Sequence, residues 1–284
     1  MKILAHTCFI GVTGYANHAK SFFCALNKYH TVKIRNLTIG DSWNGMNDTP
    51  HDGEPYMTDE IKDMLILQTL FNADKTRSDY PMYGYKNDFV PDVHIVLAET
   101  NNYYFYENYE GYKIAYNVWE STRYPDEFFK RLFYFDEVWV PTQWQFDCLV
   151  EQGYPAYKIS IVPEGVDVET FKPLDKVSDE ITKLIHGDKK YDFIVFYNNR
   201  NIRRKQPSDV IYSFKLFCDQ LPKEKADKCL LLMHTAAVDD NGTDLPAVIQ
   251  RLAPDCNIKF STGKLNTEQL NQVLNVSDVS INIC

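Results

Sequence analysis

The most basic segment of the chain places four cations within six residues: Arg200, Arg203, Arg204 and Lys205. It follows an apolar run that predicts a strand over residues 191–197 and precedes a predicted helix over 207–220. The first turn of a helix already carries partial positive charge, so cations are unfavourable there unless an anion binds nearby. A solvated basic turn is the alternative, but in an acidic protein these electrostatics favour an anion-binding site.

A second candidate is the turn Gly11-Val12-Thr13-Gly14, between a predicted strand at 1–10 and a predicted helix at 17–29. Glycines in such a turn let backbone N–H groups approach a phosphate, and the helix dipole adds attraction. The spacing is G-x-x-G rather than G-x-G-x-x-G, and no acidic residue ends a strongly apolar second strand. A dinucleotide site is therefore disfavoured. Gly14 is a candidate phosphate contact, and an ordinary strand-to-helix turn is the equal alternative.

Apolar runs alternate with amphipathic stretches along the chain, which predicts parallel sheets built from βαβ units. The predicted strands are 1–10, 31–37, 93–97, 113–119, 135–140, 159–162, 191–197, 230–233, 257–260 and 279–284. The predicted helices are 17–29, 59–72, one opening at 124–127, 142–150, 207–220, 244–252 and 267–274, with a short one in the connector 171–190. The pattern restarts after Pro173. We therefore predict two α/β domains, residues 1–173 and 174–284.

Composition and charge exclude several classes of protein. With 30 Lys and Arg against 39 Asp and Glu, the net charge is −9, which disfavours general binding to nucleic acids. The seven cysteines are scattered, with no C-x-x-C and no metal-ligand spacing, as in a reducing compartment. No apolar run is long enough to span a membrane, so a cytoplasmic location is expected. Peripheral contact with a membrane is compatible with that location.

One segment carries a family resemblance. Residues 153–173 read GYPAYKISIVPEGVDVETFKP. This segment resembles the one that joins the two domains of group-1, family-4 retaining glycosyltransferases. The resemblance implies the GT-B fold, in which two Rossmann-like domains face a cleft, and places Glu164 and Gly165 at the cleft or hinge. It also implies that residues 1–173 bind the acceptor and residues 174–284 bind the nucleotide sugar.

The same resemblance assigns a role to two of the clustered cations. In the family, a lysine follows the arginine at a strand end by five positions, and both grip the diphosphate of the sugar donor. Arg200 and Lys205 have that spacing, although Asn199 stands where the family has glycine. A guanidinium and an ammonium can stabilise the departing diphosphate without a metal. The implied partners are a nucleoside-diphosphate sugar and a glycan or other hydroxyl acceptor, with no cofactor.

Glu120 is the candidate catalytic residue of the first half. It belongs to the segment Trp119-Glu120-Ser121-Thr122-Arg123, where the family often has a histidine. Similar W-E-(S/T)-T-R segments occur in the wider superfamily. Glu120 is placed to bind sugar hydroxyls, or alternatively to pair with Arg123.

The family's paired glutamates, seven residues apart, would follow the strand predicted at 279–284. The chain ends at Cys284, before that position, so a truncated second domain of low activity is expected. The resemblance implies transfer of a hexose with retention. A non-catalytic relative that binds nucleotides or sugars is the alternative. An epimerase or phosphorylase of the same fold is a third possibility, which the residues support less well.

Overall fold

The computed structural model describes residues 1–9, 14–37, 59–65, 89–100, 103, 110–263 and 265–283. The chain divides into two compact units, Met1–Val166 and Asp167–Cys284. The domain boundary predicted at residue 173 therefore falls inside the second unit.

The first unit contains a parallel sheet of six strands with helices on its faces. The strands are β1 (Lys2–Thr7), β2 (Thr31–Asn36), β3 (Val93–Leu97), β4 (Tyr112–Tyr116), β5 (Glu137–Val140) and β6 (Ile159–Ile161). The helices are α1 (Gly14–Asn27), α2 (Asp59–Met64), α3 (Asp126–Arg131) and α4 (Gln143–Glu151). The strand order is β2-β1-β3-β4-β5-β6, and every pairing is parallel.

The second unit contains a parallel sheet of four strands in the order β10-β7-β8-β9. Its strands are β7 (Phe193–Asn198), β8 (Cys229–His234), β9 (Ile258–Phe260) and β10 (Val279–Ile281). Its helices are α5 (Asp179–His186), α6 (Pro207–Asp219), α7 (Lys223–Ala226), α8 (Leu245–Leu252) and α9 (Thr267–Val276).

Both sheets are buried on two faces, which explains the continuous apolar character of their strands. In the first unit, Ile95 packs on one face and Val96 on the other, each within a separate apolar cluster. In the second unit, Val195 and Ile194 divide between two clusters in the same way. The predicted α/β class with mainly parallel sheets is confirmed.

Three boundaries differ from the sequence prediction for identifiable reasons. Strand β1 ends at Thr7 because the N–H of Phe9 donates to the side chain of Asn36, at 2.8 Å, instead of continuing the ladder. Helix α1 begins at Gly14, earlier than residue 17, and so buries Ala16. Strand β4 ends at Tyr116, where Asn117 enters a buried polar network.

Local capping follows the sequence signals. Thr142 caps α4 by accepting a hydrogen bond from the N–H of Gln145, and Gly153 follows the helix with φ +100°. Asn266 forms a capping box with Gln269 at the start of α9.

The short helix α7 was not predicted. The predicted turn at 11–13, the loop at 40–58 and the end of the helix predicted at 59–72 lie outside the described residues. Within the described ranges, no helix has both the length and the apolar character to cross a membrane.

Candidate functional site

The basic segment lies at the carboxyl end of β7, the edge at which α/β sheets bind ligands. Strand β7 ends at Asn198, and Arg200 follows two residues later. The buried hydroxyl of Tyr197 donates to the backbone carbonyl of Lys205, at 3.0 Å. This hydrogen bond holds the last residue of the basic segment next to β7. The structure therefore brings Arg200 and the backbone of Lys205 to one edge of the sheet.

Arg200 has a carboxylate partner. Its Nε lies 3.4 Å from Oδ2 of Asp239, in the loop that follows β8. The arginine side chain is 59% exposed and that of Asp239 is 17% exposed. Water screens a pair with so much exposure, so its value is mainly orientational. Sequence reasoning missed Asp239, because only the parallel pairing of β7 and β8 brings the two loops together.

The two loops are also joined by a buried amide. The side chain of Asn201 donates to the carbonyls of Ala236, at 3.1 Å, and Thr243, at 2.7 Å, and accepts from the N–H of Thr243, at 3.1 Å. Asn201 is fully buried. The neighbouring Gly242 has no room for a side chain, since an added Cβ would lie 2.2 Å from the carbonyl oxygen of Asn201. The loops after β7 and β8 are thus fixed against each other.

Further polar side chains follow the other strands at this edge. Nδ1 of His234 lies 3.0 Å from Oγ of Ser261, and Asn199 donates to Asn282 at 2.9 Å. Burial lowers the pKa of His234, and a hydrogen bond with Ser261 opposes that shift. Asn198 lies opposite His234 in the pairing of β7 with β8. The edge therefore offers neutral hydrogen-bonding groups beside the cations.

In the first unit, Gly14 is the first residue of α1. An added Cβ at Gly14 would meet no atom within 4 Å, and neither would one at Gly165. Neither glycine is required for steric reasons. The contact of Gly14 with phosphate stays a prediction, because residues 11–13 lie outside the described residues.

Glu164 pairs with a histidine that sequence reasoning did not assign. Nδ1 of His18, in α1, lies 2.9 Å from Oε1 of Glu164. The His18 ring packs edge-on against Tyr116 at a centroid distance of 5.0 Å, and the Tyr116 hydroxyl donates to the carbonyl of Val162 at 2.7 Å. Burial and the charge of Glu164 raise the pKa of Tyr116 to about 12. The segment after β6 is held to α1 and β4 by these contacts.

Tyr15, also in α1, is a half-buried phenol with a raised pKa. Burial raises the pKa of the Tyr15 hydroxyl, and the charges of Glu99, Glu120 and Glu164 raise it further. These three glutamates follow β3, β4 and β6 respectively. The charges of the predicted site residues Glu120 and Glu164 thus both contribute to the raised pKa of Tyr15. Tyr15 was not singled out in the sequence.

A buried amide network fixes the segment that carries Glu120. The side-chain amide of Gln145, in α4, donates to the carbonyl of Asn117, at 2.9 Å, and to the hydroxyl of Tyr124, at 2.7 Å. The Gln145 oxygen accepts from the N–H of Trp119, at 3.3 Å. The rings of Trp119 and Tyr124 stack at 4.6 Å. Glu120 follows Trp119 and is exposed.

The predicted alternative for Glu120 was an ion pair with Arg123. The guanidinium of Arg123 lies 3.6 Å from Asp126. Arg123 therefore pairs with the first turn of α3, where a carboxylate suits the helix dipole.

The chain matches no protein-family model and no curated protein. It does match solved structures over 99% of its length. A glycosyltransferase from Rickettsia africae ESF-5 matches with 14% identity, over 72% of that chain, at a TM-score of 0.61. HepE from Anabaena, in complex with UDP-glucose, matches with 10% identity, over 73% of that chain, at 0.61. UDP-GlcNAc 2-epimerase from Neisseria meningitidis, bound to UDP-GlcNAc, matches with 12% identity, over 77% of that chain, at 0.57.

These likenesses define the fold as that of GT-B glycosyltransferases, with a Rossmann-like sheet in each unit, and confirm the predicted fold class. In two other matches, to HepE with UDP and to HepE with UDP and glucose, the aligned part of this chain spans about half the length of HepE, 52%. An epimerase shares the fold with the transferases. The fold therefore does not by itself choose the reaction, which has to be argued from the site.

Proposed function

We propose that this protein is a retaining glycosyltransferase that moves a hexose from a nucleoside-diphosphate sugar to an acceptor hydroxyl. The observation that carries the proposal is the position of Arg200 and of the Lys205 backbone at the carboxyl end of β7, in a unit with this fold. HepE in complex with UDP-glucose and the epimerase bound to UDP-GlcNAc support a nucleotide sugar as the ligand.

In the proposed reaction, the glycosidic bond between the sugar and the diphosphate breaks while the acceptor oxygen bonds to the sugar on the same face. The departing diphosphate gains negative charge. Arg200 offers a planar fork and Lys205 a point charge to stabilise it, so the chemistry needs no metal or other cofactor. The acceptor proton leaves with the diphosphate.

We assign the acceptor to the first unit. Glu120 is exposed on a segment that buried hydrogen bonds hold in place, which suits a carboxylate that binds sugar hydroxyls. The assignment of Glu164 and Gly165 to a cleft or hinge, and of the Gly14 backbone to phosphate, is a further part of the proposal. The glycan or other acceptor, a cytoplasmic location, peripheral membrane contact and the absence of nucleic-acid partners remain parts of the proposal.

Isothermal titration with UDP, GDP and uridine tests the donor site. Arg200→Ala and Lys205→Ala should each weaken UDP or GDP binding roughly ten- to a hundredfold and change uridine binding far less, because charge-assisted contacts contribute about 1.5–3 kcal/mol. The matched control is Lys223→Ala, since Lys223 is 87% exposed on α7, before the amino end of β8. Unchanged diphosphate affinity in both variants would refute the donor site.

Turnover distinguishes the enzyme from a non-catalytic binding protein. A panel of nucleoside-diphosphate sugars is assayed for release of free diphosphate with and without candidate acceptors. Glu120→Gln should lower the transfer rate and leave UDP affinity unchanged. Turnover of a donor that Glu120→Gln slows would exclude the non-catalytic relative.

A further inference from the structure

We propose that Asp239 is a positioning residue that holds the guanidinium of Arg200 in place for the diphosphate, which makes residues 236–243 part of the donor site. This inference rests on the proposed function. It extends the site from the basic segment after β7 to the loop after β8, to which the sequence assigned no role.

The carboxylate of Asp239 is itself fixed. Its Oδ1 accepts a hydrogen bond from the N–H of Asn241, at 2.9 Å, and its backbone carbonyl accepts from the N–H of Gly242, also at 2.9 Å. Its side chain is 17% exposed. One carboxylate oxygen is therefore held by the loop, and the other, Oδ2, is directed at Arg200.

The contact with Asp239 leaves the two terminal nitrogens of Arg200 available to a ligand. It runs through Nε, at 3.4 Å, and the side chain is 59% exposed. The two terminal nitrogens form the fork that matches phosphate oxygens. A long arginine side chain gains most from such a tether, because ordering it otherwise costs rotamer entropy when the ligand binds.

The distance between the two loops is set by packing rather than by the ion pair. Asn201 is fully buried and bonds to both Ala236 and Thr243. Gly242 allows the backbone to approach, because a Cβ there would overlap Asn201. Removing the charge of Asp239 should thus free the Arg200 side chain without separating the loops.

The opposite role is physically possible, because a carboxylate next to Arg200 also competes with the diphosphate for the cation. Competition predicts that removal of the carboxylate tightens binding. The Nε geometry and the exposure of the side chain favour positioning, since the contact uses Nε and not the edge between the two terminal nitrogens.

The test is a double-mutant cycle read by titration with UDP and uridine. Asp239→Asn should weaken UDP binding about two- to fivefold, the range that exposed ion pairs contribute. It should leave uridine binding and the thermal unfolding midpoint unchanged. In the Arg200→Ala background, Asp239→Asn should have no further effect on UDP. The matched control is Asp240→Asn, which removes the same charge from the exposed neighbouring residue.

Arg200→Lys gives a second test that keeps the positive charge but removes Nε. The effect of Asp239→Asn on UDP affinity should disappear in this background too. Equal losses in every background, a loss shared by uridine, or tighter UDP binding would each overturn the positioning role. If wild-type protein binds neither UDP nor GDP, or if Arg200→Ala has no effect, the proposed donor site itself fails. If Arg200→Ala weakens binding and Asp239→Asn does not, only this inference fails.

Discussion

Nδ1 of His18 lies 2.9 Å from Oε1 of Glu164, so the first helix of the chain contacts the segment that ends the first unit. The His18 side chain is 13% exposed and that of Glu164 is 49% exposed. Burial lowers the pKa of His18, and the charge and hydrogen bond of Glu164 raise it, with burial the larger effect. The histidine therefore titrates below its ordinary value although a carboxylate is in contact with it.

The variant Glu164→Gln should lower the pKa of His18 further, because the opposing charge disappears while burial remains. The measurement is an NMR titration of the His18 ring in wild-type and variant protein. Glu169→Gln is the control, since that carboxylate is 90% exposed and pairs with Lys172 in the second unit. A pKa that rises or stays constant in Glu164→Gln would contradict the contact.

Stability should also depend on pH through two buried histidines. Nε2 of His6 lies 3.2 Å from Nδ1 of His94 on the neighbouring strand. Desolvation lowers the pKa of His6, with Arg35 and His94 adding to the shift, and burial lowers the pKa of His94 to about 4. Both rings are therefore neutral in the folded protein at pH 7.

Because the unfolded chain binds protons at these histidines near pH 6.5 and the folded chain does not, the free energy of unfolding should fall as the pH drops from about 6.5 toward 4. The expected slope is about 1.4 kcal/mol per pH unit for each histidine that is charged only when unfolded. Urea unfolding across this range measures it. His94→Asn should reduce the slope.

The sequence predicts the parts of this fold that depend on local signals. Thr142 and Gly153 mark the two ends of α4 because capping and positive φ are properties of single residues. The contact between Arg200 and Asp239 could not be predicted, because it depends on the order of β7 and β8 in the sheet. Helix α7 is only one turn long, too short to show a period.

The residues of the candidate site likewise fall into those that the sequence reveals and those that only the fold brings together. The spacing of Arg200 and Lys205 is visible in the sequence, and so is the polar segment around Glu120. His18 gave no signal in the sequence, since its carboxylate partner, Glu164, follows a strand far along the chain. Tyr15 gave none either, because the glutamates whose charges raise its pKa are distant in sequence.

The variant Gln145→Ala should destabilise the first unit by about 2–3 kcal/mol, because the hydroxyl of Tyr124 and the carbonyl of Asn117 would lose a buried partner. Urea unfolding measures the loss, and a change in Trp119 fluorescence should accompany it.

Gln143→Ala is the control on the same helix, because Gln143 bonds only at the exposed surface to Asp147. It should change stability by no more than about 0.5 kcal/mol. Equal effects of the two variants would mean that the network does not hold the segment that carries Glu120.

The variant Gly242→Ala should lower the free energy of unfolding of the second unit by about 1–3 kcal/mol, because its Cβ would lie 2.2 Å from the backbone oxygen of Asn201 and 2.4 Å from its Oδ1. Backbone cannot move aside as a flexible side chain can, so the two loops must separate. Separation should also loosen the contact of Arg200 with Asp239 and weaken UDP binding under the proposed function.

Gly165→Ala is the matched control, since its Cβ would meet no atom within 4 Å and its backbone needs no positive φ. That variant should be neutral or slightly stabilising, because alanine restricts the unfolded chain. Thermal and urea unfolding of both variants decide the matter: if Gly242→Ala is as stable as Gly165→Ala, the loops after β7 and β8 are not locked together by close backbone packing.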